Sequence, residues 1–157
     1  MKKMTFIIIV LMVTLLTSFS SAIAGESEVL KALSTINRNL ESGLSYSKYC
    51  ELLAKATAEI DKLLEGGESE NECFIEAVKG CHRLYNVAKE HWEEMREHKR
   101  KSNKHRIMAE SQPEDLKENY IEQAESEDNL AKLAKDRILD DWKKALSQLD
   151  KAYRCIR

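Results

Sequence analysis

Proline, glycine and long apolar runs are what this 157-residue chain has least of. One proline, Pro113, and five glycines leave little to interrupt regular structure, which argues against a turn-dense β fold. No segment alternates apolar and polar residues as a half-buried strand does. Beyond residue 24, no apolar run approaches the roughly 20 residues of a transmembrane helix, so no membrane span is expected there. Catalytic signatures are missing too: there is no H-E-x-x-H, no glycine-rich phosphate loop and no nucleophile elbow. Carboxylates are so abundant that no acid–base couple stands out. No C-x-x-C occurs, and the cysteine spacings match neither zinc nor haem attachment. Neither catalysis nor a cofactor is therefore expected. Aromatics make up 6% of the residues, and Tyr85, Trp92, Trp142 and Tyr153 fall on apolar helical stripes rather than among the basic residues. With a net charge of −2, this excludes a nucleic-acid partner.

What is present begins at the first residue. Met1-Lys2-Lys3 is a short positive start, and an apolar stretch from Phe6 to Leu16 follows. The polar Thr17–Ser21 then leads into Ala22-Ile23-Ala24, a small-x-small cleavage pattern. Residues 1–24 are expected to be a removed signal peptide, leaving a mature chain from Gly25 to residue 157 as one helical domain. Loss of Lys2 and Lys3 moves the net charge from −2 to −4. The expected destination is the periplasm or the medium.

Apolar spacing in the mature part is that of helices throughout. The first is expected over 28–41, carrying Val29, Leu30, Leu33, Ile36 and Leu40, and is stopped by Ser42-Gly43. The second is expected over 47–65, ended by Gly66-Gly67. Ser69-Glu70-Asn71-Glu72 fits a capping box opening the third, which extends toward Met108. Ser111-Gln112-Pro113-Glu114 is a second such box, opening a helix toward Ile156. On that last helix the stripe reads Leu116, Tyr120, Ala124, Leu130, Ala134, Ile138, Trp142, Ala145, Leu149, Ala152 and Ile156, with a candidate break near 126–129. The fold class is all-α.

Four cysteines in an exported chain read as two disulfides. A hairpin turning at Gly66-Gly67 sets Cys50 nearly level with Cys81. A second turn at 109–112 brings Cys73 toward Cys155. The alternative, Cys50–Cys73 with Cys81–Cys155, fits those turns far worse. Cys73 and Cys81 lie eight residues apart on one helix, about 12 Å, which is beyond disulfide reach. Cys50–Cys81 and Cys73–Cys155 are thus expected.

The two short helices reach only part of the two long ones. The expectation is an antiparallel four-helix bundle with a charged, coiled-coil-like two-helix extension over about 93–129. Residues 96–106 hold six basic residues and one acid, and 114–128 hold seven acids and one lysine. These blocks face each other in part, so charge pairs would zip a solvated stalk, each contributing little. Such a hairpin also admits a homodimer.

His91, His98 and His105 recur every seven residues, with Met95 between the first two. Nitrogen and thioether donors on one face are ligand types for copper or another late transition metal. Histidines seven apart stand about 10 Å apart along a helix, so no two share an ion. His98 with Met95 needs a further ligand from another helix or chain, and Lys99, Arg100 and Lys101 repel cations.

The stretch Gly43-Leu44-Ser45-Tyr46-Ser47-Lys48-Tyr49, followed by Leu52-Leu53-Ala54-Lys55-Ala56, resembles a segment of bacterial secreted helical proteins without a known activity. The resemblance implies a helical, exported protein. In architecture alone the chain resembles small periplasmic helical-hairpin proteins that sense metal or envelope stress, whose L-T-x-x-Q motif it lacks. The resulting expectation is a non-catalytic binding or adaptor protein that meets another envelope component. Metal binding or sensing through Met95, His91, His98 and His105 is the alternative.

Overall fold

The computed structural model describes residues 25–67, 69 and 71–156. The signal-peptide assignment, with Ala22 and Ala24, lies outside those residues, while Gly25 opens a helix. The chain is all-α: α1 covers 25–41, α2 Tyr46–Glu65, α3 Glu72–Glu110 and α4 Glu114–Cys155. No strand occurs among the described residues. α4 runs 42 residues without a break, so the acidic stretch at 126–129 continues the helix. None of its residues is a glycine or proline, and nothing there competes with the helical ladder.

Helix ends follow local chemistry, with two departures from expectation. α1 stops where Gly43 takes φ +85°, and Ser45 caps α2 by accepting from the Lys48 amide at 3.3 Å. At α3 the cap is Asn71, two residues later than expected. Its Oδ1 accepts from the Phe74 amide at 3.1 Å. Its Nδ2 donates to the Cys155 carbonyl at 2.9 Å, so one side chain serves the start of α3 and the end of α4. Ser69 turns instead to Glu26 of α1, donating to Oε1 at 2.6 Å. The second capping box does not form either. Ser111 donates back to the Met108 carbonyl at the end of α3, and the Pro113 carbonyl accepts the first bond of α4. Asn71→Ala is expected to cost about 1–2 kcal/mol in urea unfolding, whereas Ser111→Ala should cost well under half of that.

The chain forms two compact units. The first comprises the described residues as far as His82 together with those from Leu146 onward. Its core is built of bulky side chains: Val29, Leu33 and Ile36 from α1, Tyr49, Leu53 and Ile60 from α2, Phe74 and Val78 from α3, and Leu149 from α4. Gly80 lies inside α3, where a Cβ would stand 3.2 Å from the end of the flexible Gln148 side chain.

Cys73 and Cys155 are joined by a disulfide with Cα atoms 5.8 Å apart. The other expected bond, Cys50–Cys81, is absent, and both residues are thiols. Register explains this. The α2–α3 connection takes six residues, 66–71, not a tight turn at the two glycines. Thr57 consequently meets His82. Cys81 then stands level with Ala58, eight residues along α2 from Cys50, or about 12 Å. A disulfide needs Cα atoms within about 7 Å.

The second unit, Arg83–Ala145, is made from α3 and α4 alone. Its buried seam consists mainly of small residues: Ala88, Ser102 and Ala109 on α3, with Ala124, Ala131, Ala134 and Ala145 on α4. Small seam residues allow helix axes to approach closely. Several large apolar residues lie outside that seam, among them Ile107 (67% exposed) and Leu133 (55%). Leu116 and Leu130, expected inside, are exposed, because the seam on α4 passes through the alanines instead.

Candidate functional site

The second unit holds most of the residues that the sequence singles out. On α3, positions 88, 91, 95, 98, 102, 105 and 109 alternate in steps of three and four, as coiled-coil seam positions do. On α4, positions 120, 124, 127, 131, 134, 138, 141 and 145 do the same. The heptad recurrence of histidine is therefore the recurrence of one seam position. Two acids occupy the opposing seam. His91 Nδ1 lies 2.8 Å from Asp141 Oδ2, and His98 Nδ1 lies 2.6 Å from Glu127 Oε2. In each pair the imidazole N–H donates and the carboxylate accepts. Asp141 is buried, so the imidazole supplies a hydrogen bond that water cannot readily replace.

His105 differs. It stacks loosely near Tyr120, with ring centroids 6.4 Å apart, and its buried Nδ1 makes no hydrogen bond. One turn earlier, the buried Ser102 Oγ is also without a hydrogen bond. Met95 is half-buried in a groove between α3 and α4. The helix thus places the three histidines and Met95 along one seam, and each histidine meets its own neighbour on α4. Among the described residues, no three of His, Cys, Asp or Glu gather to hold a metal ion. Carboxylates opposite His91 and His98 fix the tautomer, leaving Nε2 as the remaining ligand atom of each ring.

The expected charge zip is sparse. Between the basic and acidic blocks, Arg106 pairs with Asp128 and His98 with Glu127. Arg100 turns to Glu97 on its own helix, and this bond holds the exposed Glu97 carboxyl below its usual range. Lys101 and Lys104 are exposed and form no ion pair among the described residues. Geometry explains the shortfall: on a helix only positions three or four apart share a face, so most of a consecutive basic block points away from α4.

Beside the His91–Asp141 pair, Trp92 and Trp142 meet edge to face with centroids 5.5 Å apart. They close one end of a groove of about 190 Å³ that also contains Met95, Ile138 and Leu139. Asp141 and Glu127, the acids that face His91 and His98, are what sequence reasoning missed. A signal existed, since each is an acid at a seam position otherwise filled by Tyr, Ala or Ile.

The fourth histidine lies in the first unit. His82 Nε2 is 2.8 Å from Thr57 Oγ1, and Thr57 donates to the Leu53 carbonyl. Nε2 must therefore carry the proton and donate to Thr57. Burial pushes the His82 pKa down from 6.5, opposed by the charge of Asp61. A depressed histidine pKa means that the unfolded chain binds the proton more readily. His82 thus withdraws stability as pH falls below 6.5, by less than about 1 kcal/mol because the ring is partly solvated. The slope of unfolding free energy between neutral and mildly acidic pH should be shallower in His82→Gln than in the parent.

Compared with known proteins, the chain matches no protein family, no curated sequence and no solved structure.

Proposed function

We propose that the chain is an exported, non-catalytic helical binding or adaptor protein of the bacterial cell envelope. In this reading the first unit is an antiparallel four-helix bundle, stapled by Cys73–Cys155. The second is an antiparallel, charged, coiled-coil-like helix pair that carries the binding surface. One observation carries the reading: the second unit places alanines in its seam and large apolar residues outside. Single exposed leucines are ordinary. Here Leu130 and Leu133, one turn apart on α4, are both exposed while Ala131 and Ala134 beside them are buried. An apolar face presented in this way gains free energy when another protein covers it. Exposed Lys101 and Lys104, neither in an ion pair among the described residues, favour an acidic partner.

Export is supported by the signal-like first 24 residues and by the disulfide, since such bonds persist in oxidising compartments. No described helix is long and apolar enough to cross a membrane. The test is a photo-crosslinking residue at position 133 in cells that export the chain. A single envelope adduct should form, weaken in the Lys101→Glu/Lys104→Glu variant and persist in Met95→Ala/His98→Ala/His105→Ala. Absence of any adduct, or an exported mass that does not begin at Gly25, would remove the reading.

A second reading, a periplasmic metal-binding or metal-sensing protein, is favoured by the carboxylates that orient His91 and His98. Under it, the triple alanine variant loses copper or zinc uptake in calorimetry while keeping its helical circular dichroism.

A further inference from the structure

We propose that the groove between α3 and α4 in the second unit binds the acyl chain of a fatty-acid carboxylate, its headgroup held between Lys99 and Lys135. The groove has a polarity along its length. Trp92 and Trp142 close one end. Met95, Ile138 and Leu139 form the middle, where Leu139 is 42% exposed and thus open to a ligand. Seven residues from the indoles on each helix, about 10 Å along the axis, stand Lys99 and Lys135.

Charge decides the ligand class. No acid lines the groove, and neither lysine forms an ion pair among the described residues. Basic neighbours do find acids: Lys89 pairs with Glu93, Arg137 with Glu94 and Lys144 with Asp140. Two ammonium groups flanking an apolar floor repel each other and attract an anion. The indole ring faces, the thioether and the aliphatic side chains offer mainly apolar, adaptable surface, which favours a flexible hydrocarbon. A carboxylate on an acyl chain satisfies both ends at once. The span fits a medium-length chain.

This site goes beyond the partner surface at Leu130 and Leu133, and its test is independent of it. The chain has two tryptophans, and both line the groove, so tryptophan emission excited where tyrosine does not absorb reports on the groove and its immediate surroundings. The full mature chain would be titrated with decanoate, decanol and decyltrimethylammonium below their micellar concentrations. Decanoate should shift the emission saturably, decanol more weakly and the cation least. Lys99→Gln/Lys135→Gln, two exposed positions that should leave circular dichroism unchanged, should weaken decanoate roughly tenfold or more. Three results would overturn the proposal. The first is no shift with decanoate. The second is equal response to all three head groups or in the double variant. The third is emission and sedimentation that change with protein concentration alone, which would mean that a second copy covers the groove.

Discussion

Removing the Cys73–Cys155 disulfide by double serine substitution should cost about 4 kcal/mol, the largest single loss expected in this protein. The bond closes a chain separation of 82 residues. In the chain-entropy account, a loop of that length restricts the unfolded ensemble by between about 4 and 5 kcal/mol at 25 °C. The native state is already arranged around the bond. Asn71, two residues before Cys73, donates to the Cys155 carbonyl, so the start of α3 and the end of α4 stay placed when the sulfurs are gone. The helical spectrum should therefore survive while the urea midpoint falls and the melting temperature drops by roughly 10–20 °C. Cys50→Ser provides the contrast, because Cys50 is a partly exposed thiol outside the bond. Its midpoint should remain within about 0.5 kcal/mol of the parent. A double variant as stable as Cys50→Ser would show that the unfolded chain is held compact by something other than the disulfide.

His91→Ala is expected to cost about 2 kcal/mol, and the reason lies in the partner it abandons. Asp141 is 7% exposed and accepts from His91 Nδ1. Without the imidazole, a buried carboxylate loses its donor and cannot fully recover water. Replacing both residues, His91→Ala/Asp141→Ala, removes the demand together with its answer. The double variant should lose clearly less than the two single losses combined, giving a coupling energy on the order of 1 kcal/mol or more. The chain supplies its own probe, since Trp92 follows His91 and Trp142 follows Asp141. Emission should shift in the single variant and return toward the parent in the double. Additive losses would mean that the pair is solvated and contributes only as a surface ion pair.

These pairs also clarify what histidine is doing on α3. A polar residue at a seam position sacrifices apolar burial and selects one register, because only one alignment provides it with a partner. His91 with Asp141 and His98 with Glu127 do this at two levels of the same seam. The alanines around them would accept several alignments.

Helical class, the approximate reach of each helix and their stops were legible in residue order, because these depend on contacts within a few residues. Glycines 43 and 67 take positive φ where turns were expected. Caps were legible only by type. Both candidate boxes had the right residues, yet Asn71 displaced Ser69, because Asn71 also reaches Cys155 and Ser69 reaches Glu26. Those partners are 84 and 43 residues away and have no local signature.

The sequence by itself determined that this protein is helical, that α3 carries its histidines along one face, and that Cys73 pairs with Cys155. Periodicity suffices for the first two; turn position gave the third together with Cys50–Cys81, which does not form. Only the tertiary structure decided that Cys50 and Cys81 miss each other, that alanines rather than leucines fill the second seam, and that Asp141 and Glu127 answer the histidines. Each outcome depends on the register and azimuth of one helix against another. A shift of two or three residues at a connection moves side chains several ångströms along the axis and turns them to another face. Local sequence does not constrain such a shift; the packing that selects it forms only when distant segments meet.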